Sequence, residues 1–215
     1  MSYLVGKIVA VEGVEGSGRT LHAEGIRTYL EEQGYGVITF GLGMSKLLGE
    51  AIARKKRDVV FQRRTLFLAY VTDLADQVEN LVKPAVESGF VALADGYVLT
   101  LMAWGLTRGL ERNWMEGVLR ALPRPELTLA LIAPPEEIMK RIIRKKGVLD
   151  PLSSGVDLCV NGDLYQGFRQ YLERYLNNMR SLASDKGGVT VDTGRDFKVV
   201  QEEINSLVGG DLGEA

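Results

Sequence analysis

Residues 9–25 read VAVEGVEGSGRTLHAEG. An apolar, β-prone run ends at Glu12, glycines follow at 13, 16 and 18, and a helical pattern begins at Arg19. Strand, glycine turn, helix is the context in which backbone N–H groups turn inward to cradle phosphate oxygens, with the helix N-terminus adding partial positive charge. The segment GVEGSGRT follows the phosphate-loop pattern G-x-x-x-x-G-K-[ST] at every fixed position but one. Thr20 supplies the hydroxyl that such loops give to Mg²⁺, while Arg19 stands where a lysine is expected. The substitution keeps the charge but makes it longer, planar and forked, which is not conservative at a tight site. Glycines in one turn also occur without a ligand, but three of them with a hydroxyl residue after the first strand point to phosphate or nucleotide binding.

Working outward, apolar runs alternate with helical patterns. KIVAVE (7–12), YGVITF (35–40), FVALAD (90–95), LTLALIA (127–133) and GVTVDT (188–193) read as five strands. The intervening segments carry the 3.6-residue period: Ala23, Ile26 and Leu30 share one face of the first helix, and Gly34 is its natural stop. Residues 65–89 read as one long helix that Pro84 disturbs, residues 134–146 as a helix with proline and glutamate in its first turn, and residues 197–208 as the last. Unbroken apolar strands separated by helices predict a parallel sheet covered on both faces, an α/β/α three-layer fold in one domain spanning 1–215. Between Gly147 and Asp163 the periodicity fails, which predicts a loop; with its flanks (144–162) it is expected to act as a lid. The tail GGDLGEA is expected to fray.

Composition narrows the function. With 26 basic and 28 acidic side chains the net charge is -2, so no global charge calls for nucleic acid or an anionic membrane. The single cysteine, Cys159, excludes an internal disulfide and fits a reducing compartment. The apolar runs are strand-sized, and no charged head with an apolar signal core precedes Glu12. A cytoplasmic enzyme is expected.

Other residues bear chemistry. Asp95 ends the third strand, at the carboxyl edge where ligands gather; it reads as a magnesium-associated or water-positioning carboxylate, or as a solvated strand end. The run KRIIRKK places Arg141, Arg144 and Lys145 close together on a helix just before the expected lid loop, the pattern of a charged solvated face. A second basic cluster, ARKKRD (53–58) with Arg63 and Arg64, reads as solvated surface because aromatic interleaving stops at Phe61. His22, the only histidine, reads as a surface or packed residue. Trp104 and Tyr97 either stack on a base or fill core.

From about Lys7 to Val208 the chain resembles thymidylate kinases, of the nucleoside-monophosphate kinase group. VAVEGVEGSGRT resembles that family's opening; LVKPAVESGFVALADGYVLTLMAWG its segment with an Asp-Arg-Tyr motif, a Ser and an Ala-Tyr pair; PELTLALIAPPEEIMKRI its fourth strand and next helix; GFRQYLERY and VTVDTGRDFKVVQEEI its C-terminal part. The resemblance implies a P-loop NTPase fold with a five-stranded parallel sheet and a lid. It implies phosphoryl transfer from ATP with Mg²⁺ to a small phosphate acceptor such as dTMP, in a homodimer with no nucleic acid or membrane partner. Carried over by position, Gly13, Glu15, Gly16, Ser17, Gly18, Arg19 and Thr20 would hold the donor, and Thr20 and Asp95 the metal. Arg19, Asp95, Arg141 and Arg144 would serve catalysis, and Glu15, Phe67, Tyr97, Thr100 and Trp104 would meet the acceptor.

The departures gather on cations. The family's loop lysine is Arg19, its Asp-Arg-Tyr is Asp95-Gly96-Tyr97, no arginine occurs between Arg64 and Arg108, and its thymine-reading glutamine aligns with Gly105. The segment after the second strand is GLGMSK (41–46). An arginine bond to phosphate contributes about 1.5–3 kcal/mol, so the loss of two predicts weak binding of thymidylate. Two functions follow: a phosphotransferase, or a catalytically impaired nucleotide-binding or regulatory relative.

Overall fold

The computed structural model describes residues 6–57, 62–147, 155 and 163–213. Five strands, β1 (Ile8–Glu12), β2 (Val37–Gly41), β3 (Val91–Asp95), β4 (Leu127–Ile132) and β5 (Val189–Asp192), form one sheet in the order β2-β3-β1-β4-β5, every pair parallel. The expected strands all form, within a residue or two of their predicted bounds.

Side chains alternate across the sheet, and the two faces differ in size. Ala10, Ala92, Ala94 and Ala130 face one core, with Phe67, Leu101, Phe168, Leu172 and Leu176 from the covering helices. Val9, Val11, Leu93, Leu129 and Leu131 face the other, against Ile26, Leu30, Val200 and Ile204. On the first face lie α3 (Arg63–Gln77), α5 (Val98–Thr107), α7 (Pro135–Lys146) and α8 (Leu164–Asp185); on the second lie α1 (Arg19–Glu32) and α9 (Phe197–Gly213). The alanine face lets α8 and α5 sit close to the sheet and to each other. Sequence reading did not separate α2 (Gly49–Arg57), α5 or α6 (Arg112–Leu119) as helices. In α5, Leu99 to Ala103 are all buried, so no polar face marks a period.

The long helix is interrupted as Pro84 predicts. After Gln77 the coil widens into a π-turn at Val78–Val82 and resumes as α4 (Lys83–Glu87) with the proline in its first turn. A proline there cannot bond back to Asn80, and the widened turn takes up the missing bond. As far as Gly213 the tail does not fray as expected. Helix α9 runs to Gly213, because Leu212 is buried and Lys7 Nζ bonds both the backbone oxygen and the carboxylate of Asp211. Of the expected lid, residues 148–154 and 156–162, Cys159 among them, lie outside the described residues; Gly155 is buried against the Tyr171 ring.

Candidate active site

Strand order reverses beside β1, so a crevice opens beyond its carboxyl end between β3 and β4, where ligands bind in sheets of this kind. The phosphate loop fills that position. Gly16 has φ +85, and a Cβ there would lie 2.9 Å from Ile142 Cγ1, so both conformation and space demand glycine. Two side chains fix the loop from the β4–β5 side. The Thr193 hydroxyl lies 2.8 Å from Ser17 O and 3.0 Å from Ile132 O. Arg141 gives Nε to Glu137 (3.1 Å), Nη1 to Gly16 O (3.4 Å) and Nη2 to Thr193 O (2.8 Å).

The other side of the loop is fixed by Glu12, which sequence reading left as a strand end. Its fully buried carboxylate accepts from Tyr97 N (2.8 Å), Leu99 N (2.9 Å), Thr100 N (2.9 Å) and the Thr100 hydroxyl. A carboxylate on the first-turn N–H groups of a helix satisfies donors that have no partner inside it. Glu12 thus ties β1 to the start of α5. The Thr100 hydroxyl continues the network to Gly13 N (3.0 Å), and the Tyr175 phenol donates to Thr100 O (2.9 Å). Burial pushes the Tyr175 pKa well above the ordinary phenol value and keeps that donor protonated. The legible signal was an acid closing an apolar strand that both sheet faces bury.

Arg19, Thr20, Asp95 and Gly96 meet at one point. Thr20 Oγ1 donates to Asp95 Oδ2 at 2.6 Å, and Arg19 Nη1 to Gly13 O at 3.0 Å, with Thr100 Oγ1 at 3.4 Å. Arg19 Nε lies 3.3 Å from Asp95 Oδ1 but off the line of a hydrogen bond, so that oxygen is paired in charge while accepting no bond among the described residues. A Cβ on Gly96 would lie 2.5 Å from Arg19 Nη1 and 3.0 Å from its Cζ. Two departures from the family pattern, at 19 and at 96, therefore occupy the same space. Mg²⁺ takes hard oxygen donors, one or two from the protein and the rest from phosphate and water. The Thr20 hydroxyl, which lines the cavity, and the Asp95 carboxylate it bonds are hard oxygen donors of that kind.

A cavity of about 830 Å³ opens from the loop. Gly13, Glu15, Gly16, Gly18, Arg19 and Thr20 line it, and so do Thr100, Trp104, Arg141 and Arg144. Its walls extend in two directions: toward Leu66, Tyr70, Trp104 and Tyr171, and toward His22, Arg195 and Phe197. Four expected site residues stand apart. Ser17 is fully buried and its Oγ has no partner among the described residues; Asp95 reaches the cavity only through Thr20 and Arg19. Phe67, expected near the base, is buried against Trp114, and its neighbours Leu66 and Tyr70 face the cavity instead. Tyr97 is core: its ring meets Phe40 edge-on and its hydroxyl donates to Pro123 O. A Cβ on Gly105 would run into Met115 Sδ, so that position faces α6 and not the cavity.

The segment Gly41–Ser45 is held from α3. Asp73 accepts from Gly43 N (2.7 Å) and Ser45 N (3.1 Å), and the Gln77 amide both donates to and accepts from the Gly41 backbone. Burial raises the Asp73 pKa, and the backbone bond from Gly43 opposes it. Asp73 and Gln77, spaced four apart on a helix, were the signal for this clamp. His22 is the packed residue expected, with Nδ1 2.7 Å from Gln201 Oε1 and its ring stacked on Phe197 at 4.7 Å. Burial lowers its pKa; the Gln201 bond opposes this and the charge of Arg141 reinforces it.

Sheet order and loop together define an α/β fold of the P-loop NTPase class, with the phosphate loop and the cavity at the switch point. The family model for thymidylate kinase matches residues 11–204. A probable thymidylate kinase 2 of Saccharolobus solfataricus is 27% identical over 205 residues, covering 95% of this chain and 96% of the relative. A probable thymidylate kinase of Pyrococcus horikoshii is 30% identical over 159 residues, with 71% and 77% covered, and a thymidylate kinase of Hahella chejuensis is 34% identical over 155, with 67% and 73% covered. The chain belongs to the thymidylate kinase family. These relationships support a phosphotransferase over the alternative of a catalytically impaired relative.

Proposed function

We propose that the chain is a single kinase domain that transfers the γ-phosphoryl group of ATP to the phosphate of dTMP, giving ADP and dTDP. The observation that carries the reading is one cavity joining the phosphate loop to a wall of Leu66, Tyr70 and Trp104, within a chain of the thymidylate kinase family. Gly13–Thr20 hold the donor phosphates through backbone N–H groups and the α1 N-terminus. Thr20 and Asp95 hold Mg²⁺, which when bound offsets phosphate charge. An acceptor phosphate oxygen attacks the γ-phosphorus as its bond to the leaving ADP oxygen breaks; the dianionic acceptor needs no base. Catalysis is then positioning and charge stabilisation.

Arg144 and Lys145 face the cavity and are exposed, which suits cations that close on a transferring group; Arg141 is committed to the loop. The acceptor base lies between Leu66, Tyr70 and Trp104, and Glu15 stands at the loop's crown, toward the acceptor. We also propose a cytoplasmic homodimer. The single cysteine supports a reducing compartment, and exposed Leu68 and Leu81 on the long helix support an interface there. No helix among the described residues is long and apolar enough to cross a membrane. A coupled assay for ADP with ATP, Mg²⁺ and a panel of nucleoside monophosphates tests the reading. Turnover with dTMP is expected; no turnover with any monophosphate would overturn it.

A further inference from the structure

The Arg19 side chain leans away from α7 and toward the start of α5. Nε sits beside the Asp95 carboxylate, and Nη1 is held by Gly13 O with the Thr100 hydroxyl beyond it. A guanidinium is a rigid planar fork, so one hydrogen-bonded corner and one corner held by charge fix the whole plane. The third corner, Nη2, donates to no group among the described residues, and Arg19 lines the cavity. The fork is therefore preset and keeps one edge for a ligand.

Gly96 makes that pose available. It has φ +79, which side chains other than glycine adopt at a cost, and its missing Cβ is the space that Nη1 and Cζ fill. Any larger residue at 96 displaces the guanidinium. The other cavity arginines and lysine, Arg141, Arg144, Lys145 and Arg195, come from α7 and from the turn after β5. Arg19 faces the α5 wall, where Leu101 and Trp104 supply apolar surface. Cations of separate origin on two walls suit two phosphate-bearing ligands; a neutral acceptor would need none beside α5.

We propose that the Arg19 fork, seated over Gly96, is the clamp for the acceptor's phosphate, so that the site selects a nucleoside monophosphate over the nucleoside. This rests on the phosphotransferase reading and assigns its acceptor specificity. Residues 19 and 96 form one unit: the phosphate loop donates across its own base the guanidinium that position 96 cannot supply.

Calorimetry of the full chain with dTMP and with thymidine, without ATP, tests this, with the melting temperature of each variant measured in parallel. Arg19→Lys is expected to lower dTMP affinity roughly 10- to 100-fold and leave thymidine affinity unchanged. Gly96→Ala, which pushes the fork aside without removing it, is expected to weaken dTMP in the same direction. Arg19→Lys combined with Gly96→Arg is expected to regain part of the loss. Unchanged dTMP affinity in Arg19→Lys overturns the clamp, as does equal loss for dTMP and thymidine, which marks a structural role. A wild-type chain that binds no nucleoside monophosphate overturns the acceptor reading itself, and the clamp with it.

Discussion

Arg19 and Arg141 approach one phosphate loop from opposite sides. Arg141 ends every arm on the protein, at Glu137, Gly16 O and Thr193 O, and so pins the loop between α7 and β5. Arg19 anchors two corners at Asp95 and Gly13 O and leaves the third to the cavity. Both are arginines, both line the cavity, and in sequence both read as phosphate-handling cations. The difference lies in where their donors go. A guanidinium whose donors all end on the protein is a strut; one held at two corners is preorganised for a ligand.

That contrast breaks first at Glu12, which holds the Arg19 side in place. Glu12→Ala leaves three buried backbone N–H groups without an acceptor, and a loss of about 3–5 kcal/mol is expected. At about 2–4 °C per kcal/mol this lowers the melting temperature by roughly 10 °C. A scanning calorimetry shift under about 3 °C would mean that α5 holds its position without the carboxylate.

Gly96→Ala comes next, with about 2 kcal/mol expected from the left-handed conformation and the contact with Nη1. In an Arg19→Lys background the contact part should vanish and the cost shrink toward the conformational part alone. Equal costs in both backgrounds, read from urea unfolding, would uncouple 19 from 96. Arg141→Met keeps the aliphatic stem and removes the strut. About 1–2 kcal/mol of loop anchoring is expected to go, with a KM for ATP raised roughly 10-fold and dTMP affinity nearly unchanged. Loss of dTMP affinity there would erase the distinction between the two arginines.

The smallest effect concerns His22, the only histidine, so its imidazole resonances titrate alone. Its pKa in the folded chain lies below that of the unfolded chain. The unfolded chain takes up the proton first, so this contribution to stability is full above about pH 6.5 and is lost as pH falls through the folded value. An NMR midpoint above about 6.5 would contradict the burial of the ring beside Arg141.

The fold was legible because its strands are unbroken apolar runs and its glycines fall at the turns. The phosphate loop and its Thr20 hydroxyl were legible for the same reason: spacing along the chain sets them. What sequence could not place were side chains whose partners are distant in sequence. Phe67 and Tyr97 are aromatic and lie near the right segments, but helix phase turns Phe67 toward Trp114 and β3's end buries Tyr97, so Leu66 and Tyr70 face the cavity. Glu12 and Asp73 were passed over because an acid reads as solvated until the helix N-terminus or loop that it bonds is known. Arg19 and Gly96 read as two separate losses. They are 77 positions apart in the chain and within contact distance in the fold, which no spacing rule conveys.

On this proposal an arginine at position 19 works as the cation of the loop. A coupled assay with ATP, Mg²⁺ and dTMP, run on the wild-type chain and on Arg19→Lys side by side, tests it most directly. The wild-type chain should turn over dTMP, and the lysine variant should lose roughly 10-fold or more in kcat/KM, chiefly through the KM for dTMP. A lysine variant faster than the wild-type chain, or a wild-type chain inactive with dTMP, would contradict it.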